Sequence, residues 1–170
     1  MSQVSRSSLR IFVLTAAMLS ILFVARAEQS LVDKRAPDFS RSDLQNARID
    51  LAQYRGKVVL LNFWATWCGP CRLEMPRFVQ WQKAYGPQGL QVLGVSIDDS
   101  VAPVRPFVQK LQVNYPIMMG DAQLGDLYGG VYGVPVTFLI DRKGIIRARY
   151  DGEPDLGALE SEVQKMLSAH

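Results

Sequence analysis

The period of the hydrophobic positions changes several times along this chain, and each change marks an element. Val58-Val59-Leu60-Leu61-Asn62-Phe63-Trp64 is apolar at nearly every position and carries β-branched residues. A strand with one wet face would alternate, so this run predicts a strand covered on both faces of a sheet. Residues 91–97 repeat the pattern, and residues 115–119 form a shorter candidate. Residues 134–140 and 145–150 flank the turn Asp141-Arg142-Lys143-Gly144 and predict a hairpin. Residues 49–54, with Gly56 after them, predict a short strand and a turn.

Helical spacing fills the intervals. Residues 69–83 predict a helix with Leu73, Phe78 and Trp81 as its apolar positions and Arg72, Arg77 and Lys83 toward water. Pro76 lacks an N–H and crowds the preceding turn, so a kink is expected there. Residues 101–111 predict a second helix with Pro103 in its first turn. Leu156, Leu159, Val163 and Leu167 share one face of a closing helix. Strand, helix, strand, helix, strand is the order of an α/β domain, and the late hairpin makes its central sheet mixed, with helices flanking it.

Composition adds a leader to this picture. Arg6 and Arg10 precede residues 11–24, which carry no charge, and Ala25-Arg26-Ala27 stands before Glu28. This is the build of a secretory signal peptide over residues 1–27. The apolar core is shorter than the roughly 20 residues of a spanning helix. The alternative is an uncleaved membrane anchor ending at Arg26. Either places the rest outside the cytoplasm, in a periplasm or its equivalent. Residues 28–35 read as a linker and residues 36–170 as one domain. The chain has 19 basic and 16 acidic residues, and three of the basic ones are Arg6, Arg10 and Arg26. Without them the charges balance, so the domain has no basic excess for nucleic acid.

The chemistry concentrates at Trp67-Cys68-Gly69-Pro70-Cys71, which holds both cysteines of the chain. Two intervening residues let both sulfurs meet at the first turn of a helix. Cys68 would sit at the exposed start, where unpaired N–H groups and the helix dipole favour a thiolate. A thiolate attacks a disulfide, and a second thiol one turn deeper, Cys71, resolves the mixed disulfide. Pro70 at an early helical position costs no hydrogen bond. Other uses of the pair fit less well. A zinc half-site lacks partners, since the single histidine is His170. A c-type haem site needs histidine where Arg72 stands. A structural disulfide closing so short a loop stabilises little.

These residues resemble the thioredoxin superfamily, and within it the exported TlpA/ResA/cytochrome-c-biogenesis branch of thiol–disulfide oxidoreductases. The resemblance runs from Ala36 to the C-terminus. It rests on Ala36-Pro37-Asp38-Phe39, on residues 62–71, on Glu74 with Pro76, and on residues 133–141, Gly-Val-Pro-Val-Thr-Phe-Leu-Ile-Asp. It implies a thioredoxin-like fold with an N-terminal β extension and an extra helix and strand between about Ser96 and Gly120. It implies that Val134-Pro135 is a cis peptide beside the disulfide, where a substrate chain pairs with the exposed backbone as an added strand. It further implies that Glu74, partly buried near the cysteines, accepts a proton from Cys71 and tunes both thiols. Asn62 departs from thioredoxin itself, which has a buried aspartate at this position, and an amide cannot take up that proton. Trp67 is read as an apolar platform for partners and Trp64 as core.

The implied activity is dithiol–disulfide exchange by Cys68 and Cys71, with Trp67, Gly69, Pro70, Val134 and Pro135 contacting substrate. Neither a metal nor a dissociable cofactor is implied. Gly69-Pro70 is the dipeptide of reducing thioredoxins. The expected partners are protein thiols and disulfides, for example apocytochrome c, with a membrane thiol reductase as electron donor; the chain is expected to be a monomer. Two other readings compete. Ala36-Pro37-Asp38-Phe39 also resembles the peroxiredoxins, which would make this a thiol peroxidase. That family sets threonine three residues before its cysteine, and Thr66 stands only two before Cys68. A Cu(I) carrier could use two thiolates but lacks a third soft ligand.

Overall fold

The structure is a computed structural model and describes residues 30–169. The leader and His170 lie outside the described residues. A five-stranded sheet forms the centre, in the spatial order β5-β4-β3-β6-β7. Its strands are β3 (Val58–Trp64), β4 (Leu90–Ser96), β5 (Ile117–Met119), β6 (Val136–Ile140) and β7 (Ile146–Asp151). The first three run parallel, whereas β6 is antiparallel to β3 and β7 antiparallel to β6. A two-stranded hairpin, β1 (Ser40–Ser42) with β2 (Arg48–Asp50), precedes them. This is the mixed, helix-flanked sheet of the thioredoxin-like fold, with its N-terminal β extension.

The continuous apolar run of β3 has the expected cause. Leu60 and Trp64 face a core closed by α1 (Gly69–Tyr85), α2 (Val101–Lys110) and α4 (Leu156–Ser168). Val59, Leu61 and Phe63 face a second core with Leu124, Tyr128 and Phe138. No residue of β3 meets water. Asn62 is the single polar side chain in it, and it points into the first layer beside the cysteine-bearing helix.

Several expectations need correction. Leu73 is 64% exposed, because the face of α1 that packs on the sheet is set by Cys71, Met75, Phe78 and Trp81. The helix continues through Pro76 to Tyr85. The strand foreseen over residues 49–54 is β2, and its second half is a 3₁₀ turn, Leu51–Tyr54. A short helix, α3 (Ala122–Leu127), was not foreseen; Asp121 caps it by accepting from the Leu124 N–H at 2.8 Å. The stretch read as a linker is laid along the sheet edge from Leu31 onward. Asp33 N–H donates to Ile146 O, and Ile146 N–H to Lys34 O. That pairing covers part of the β7 edge, a row of backbone groups that otherwise invites association. Among the described residues no helix is long and apolar enough to cross a membrane.

Candidate active site

The cysteine pair stands where β3 hands over to α1. Three residues, Ala65 to Trp67, make the turn, and the loop is tied from the neighbouring strand. Asp98, just past β4, accepts from the Thr66 N–H at 3.0 Å and from the Thr66 hydroxyl at 2.6 Å. Its carboxylate also accepts from the Ser96 hydroxyl at 2.8 Å. Cys68 is the N-cap of α1, with Pro70 in the first turn, where its missing N–H costs nothing. Cys68 and Cys71 are joined in a disulfide. The Cys71 N–H points at Cys68 Sγ from 3.2 Å, so an amide and the positive helix end both face that sulfur.

The cysteines are less open than their place at a helix start suggested. Cys68 retains 4% of its surface and Cys71 none. The cover includes the Val134 carbonyl, 3.6 Å from Cys68 Sγ. The Val134–Pro135 peptide is cis. Trp67, 67% exposed, and Gly69 form the outer rim. What surface the pair retains therefore belongs to Cys68, beside the Val134 carbonyl.

Behind the disulfide lies Glu74, one helical turn past Cys71 and without exposed surface. Its solvation is poor. Oε2 is 3.5 Å from the Asn62 amide, at the limit of a hydrogen bond, and Oε1 has no partner. Burial, then the negative charge of Glu153, push its carboxyl up to about 7, against a smaller opposing effect of Asn62. Asn62 is held in turn by Thr137, its register partner on β6, donating to that hydroxyl at 2.9 Å. Tyr115 is also raised, by burial and then by the charge on Glu74. A carboxyl in such a site can hold or release a proton near neutrality.

A third component is the loop leading into Val134. The Arg149 guanidinium, from β7, donates to three successive carbonyls, Tyr128 at 3.2 Å, Gly129 at 3.4 Å and Gly130 at 3.0 Å. Asp151 holds the same guanidinium at 2.8–3.0 Å, and the Phe138 ring lies 5.4 Å beneath it. Gly129 and Gly130 have φ of +77° and +80°, so glycine is needed for the loop to turn its carbonyls inward.

Comparison with known proteins agrees with this geometry. Residues 32–149 match the AhpC/TSA family. A thiol-disulfide oxidoreductase ResA from Bacillus cereus is 33% identical over 147 residues, covering 85% of this chain and 83% of the relative. The chain belongs to the ResA thiol–disulfide oxidoreductases. A further ResA, from Geobacillus thermodenitrificans, is 39% identical over 117 residues, or 68% of this chain and 67% of that one. A crystal structure of a thioredoxin-family thiol:disulfide interchange protein from Chlorobium tepidum superposes with a TM-score of 0.73. It is 29% identical and covers 79% of this chain and 96% of that chain. The chain is thus a dithiol–disulfide oxidoreductase with a thioredoxin-like fold, and its substrates are thiols and disulfides.

Within this ResA-type frame, Trp67, Cys68, Gly69, Pro70, Cys71, Val134 and Pro135 meet at one end of the sheet, with Glu74 directly behind. Trp64 is core, as expected. Sequence reasoning missed Asp98, Thr137 and Arg149. The only available signal for Asp98 was an acid two residues beyond a strand, which reads equally as a helix cap. Arg149 gave none, because its partners are carbonyls about twenty positions away. Among the described residues no group of three His, Cys, Asp or Glu side chains is placed to hold a metal ion.

Proposed function

We propose that the chain is an extracytoplasmic reductant of protein disulfides, in which Cys68 attacks, Cys71 resolves and Glu74 carries the proton. The observation that supports it most is the pairing of a capped, dipole-facing Cys68 with a buried, poorly hydrogen-bonded Glu74 on the same helix. In the first step the Cys68 thiolate bonds to one substrate sulfur, and the other leaves as a thiolate and takes a proton from solvent. In the second, Cys71 passes its proton to Glu74 and attacks Cys68 Sγ. The second substrate thiolate departs and is protonated in its turn. Two electrons reach the substrate, and the Cys68–Cys71 disulfide forms.

Regeneration reverses the traffic. A donor supplies two electrons, and Glu74 returns its proton to the Cys71 sulfur. An oxidising compartment cannot reduce the pair by itself. The leader over residues 1–27 motivates export, and export requires a membrane thiol reductase as donor. Cysteines of apocytochrome c are the proposed acceptors, and the chain acts as a monomer without a dissociable cofactor. Trp67, Gly69, Pro70, Val134 and Pro135 contact the substrate chain. The test is trapping: Cys71→Ala accumulates a mixed disulfide with an unfolded, oxidised protein, and Cys68→Ala does not. Preferential alkylation of Cys71 at low pH would reverse the two roles.

The peroxidase reading is weakened by two placements. The Thr66 hydroxyl is committed to Asp98, and the Arg72 guanidinium lies over the Phe107 ring, 5.8 Å away.

A further inference from the structure

Beside Val134 and Pro135 the surface sinks into a groove of about 1430 Å³. Its lining includes Asp126, Leu127, Tyr132 and Arg149. Tyr132 is 88% exposed, the most open large apolar side chain among the described residues, and Leu127 is exposed on the same rim. A ring so open normally has no fixed seat. Here it lies on the backbone of Gly130, where a Cβ would stand 2.5 Å from the ring. Gly130 is one of the three residues whose carbonyls Arg149 holds. The ring therefore rests on a platform anchored to β7 and, through Arg149, to the sheet.

We propose that this groove is the specificity subsite of the exchange reaction, and that Tyr132 and Leu127 receive an apolar side chain next to the cysteine of an extended polypeptide substrate. The proposal rests on the exchange reading above and adds substrate selection to it. Continuity with the reacting centre carries the argument. Val134 lines the groove and also places its carbonyl 3.6 Å from Cys68 Sγ. A polypeptide whose sulfur bonds to Cys68 must cross Val134, and its neighbouring residues on one side then fall into the groove. Successive residues of an extended chain advance about 3.3 Å, so a side chain one or two positions from the cysteine reaches Tyr132. A rigid aromatic wall adds contact area at small entropic cost. Asp126 stands on the same rim and makes no ion pair among the described residues, which disfavours an acidic neighbour at that position.

The test uses two peptides, each with one cysteine in a mixed disulfide with thionitrobenzoate. One has phenylalanine on both sides of the cysteine and the other serine, which carries no charge for Asp126 to repel. The readout is the ratio of their second-order rate constants with the reduced full chain. The parent is expected to favour the phenylalanine peptide by about 10-fold, the scale of discrimination by an apolar pocket. In the Tyr132→Ser/Leu127→Ser double variant the ratio falls toward one. Both substitutions are at exposed positions, and the unfolding midpoint verifies that the fold is kept. A parent ratio near one, or a ratio that survives the double substitution, overturns the subsite and leaves the exchange reading standing. Failure of the exchange reading looks different: neither peptide would then release thionitrobenzoate, or Cys68→Ala would release it as fast as the parent. If the variant alters self-association in sedimentation without altering the ratio, the groove serves a second copy of the chain and the proposal is wrong.

Discussion

Two buried carboxylates stand on either side of the cysteine-bearing turn, and they are supplied very differently. Asp98, in front, accepts three hydrogen bonds between 2.6 and 3.0 Å from Thr66 and Ser96. Glu74, behind, has one contact at 3.5 Å and one oxygen with no partner. Burial alone is thus a poor guide to what an acid does. A carboxylate whose lone pairs are filled is a fastener, and here it fixes the loop that carries Trp67 and Cys68. A buried carboxylate left short of donors is destabilised as an anion and becomes a proton store.

The comparison predicts its largest effect at the saturated acid. Asp98→Ala strands the Thr66 amide and two hydroxyls and should lower stability by about 4 kcal/mol in urea unfolding. Asp98→Asn keeps an oxygen for the Thr66 amide and should recover part of that loss. If Glu74→Gln proves equally costly, the contrast between the two acids is false.

The next effect is on stability against pH. The folded oxidised protein holds the Glu74 proton up to about pH 7, whereas an unfolded glutamate releases it near 4.5. Between those values the folded state binds more protons than the unfolded one. This contribution is therefore fully present below about pH 4.5 and is lost as pH rises to 7. It amounts to about 3 kcal/mol. The difference between parent and Glu74→Gln unfolding free energies across pH 4.5–7 isolates it, and a flat difference would refute it.

A smaller effect is kinetic. Glu74→Gln should slow turnover at pH 7 by about 10- to 100-fold and change the pH dependence of the rate. An unchanged profile would make Glu74 a packing residue and move the proton to water. The smallest effect belongs to the front rim. A Cβ at Gly69 would meet nothing within 4 Å, so Gly69→Ala should change stability by less than about 1 kcal/mol. A larger loss would mean that the helix start needs glycine for its backbone.

These contrasts explain what could be read in advance. The apolar run of β3 and the spacing of Leu159, Val163 and Leu167 reflect burial, and burial is written in residue type. Likewise Cys68 and Cys71 are close in sequence, so their meeting follows from helical geometry alone. Leu73 misled because an apolar side chain on a helix can face water, and only the direction of the sheet decides which stripe is covered. The short α3 escaped because six residues with an internal glycine carry almost no periodic signal. Arg149 and Asp98 escaped for another reason. Their partners are backbone groups and hydroxyls, present nearly everywhere, so nothing in the sequence marks which ones they will reach. A proton-carrying role for Glu74 is what the resemblance implies, and the buried oxygen without a partner is the observation that favours it.

On the function proposed above, this disulfide receives electrons from a donor and passes them to substrate. The equilibrium reduction potential of the Cys68–Cys71 couple at pH 7, measured against a thiol redox buffer, decides the direction of that transfer. A reductant should give a value below about −230 mV, on the thioredoxin side of the scale, whereas a value above about −150 mV, in the range of the strong periplasmic oxidants, would make the protein an oxidant.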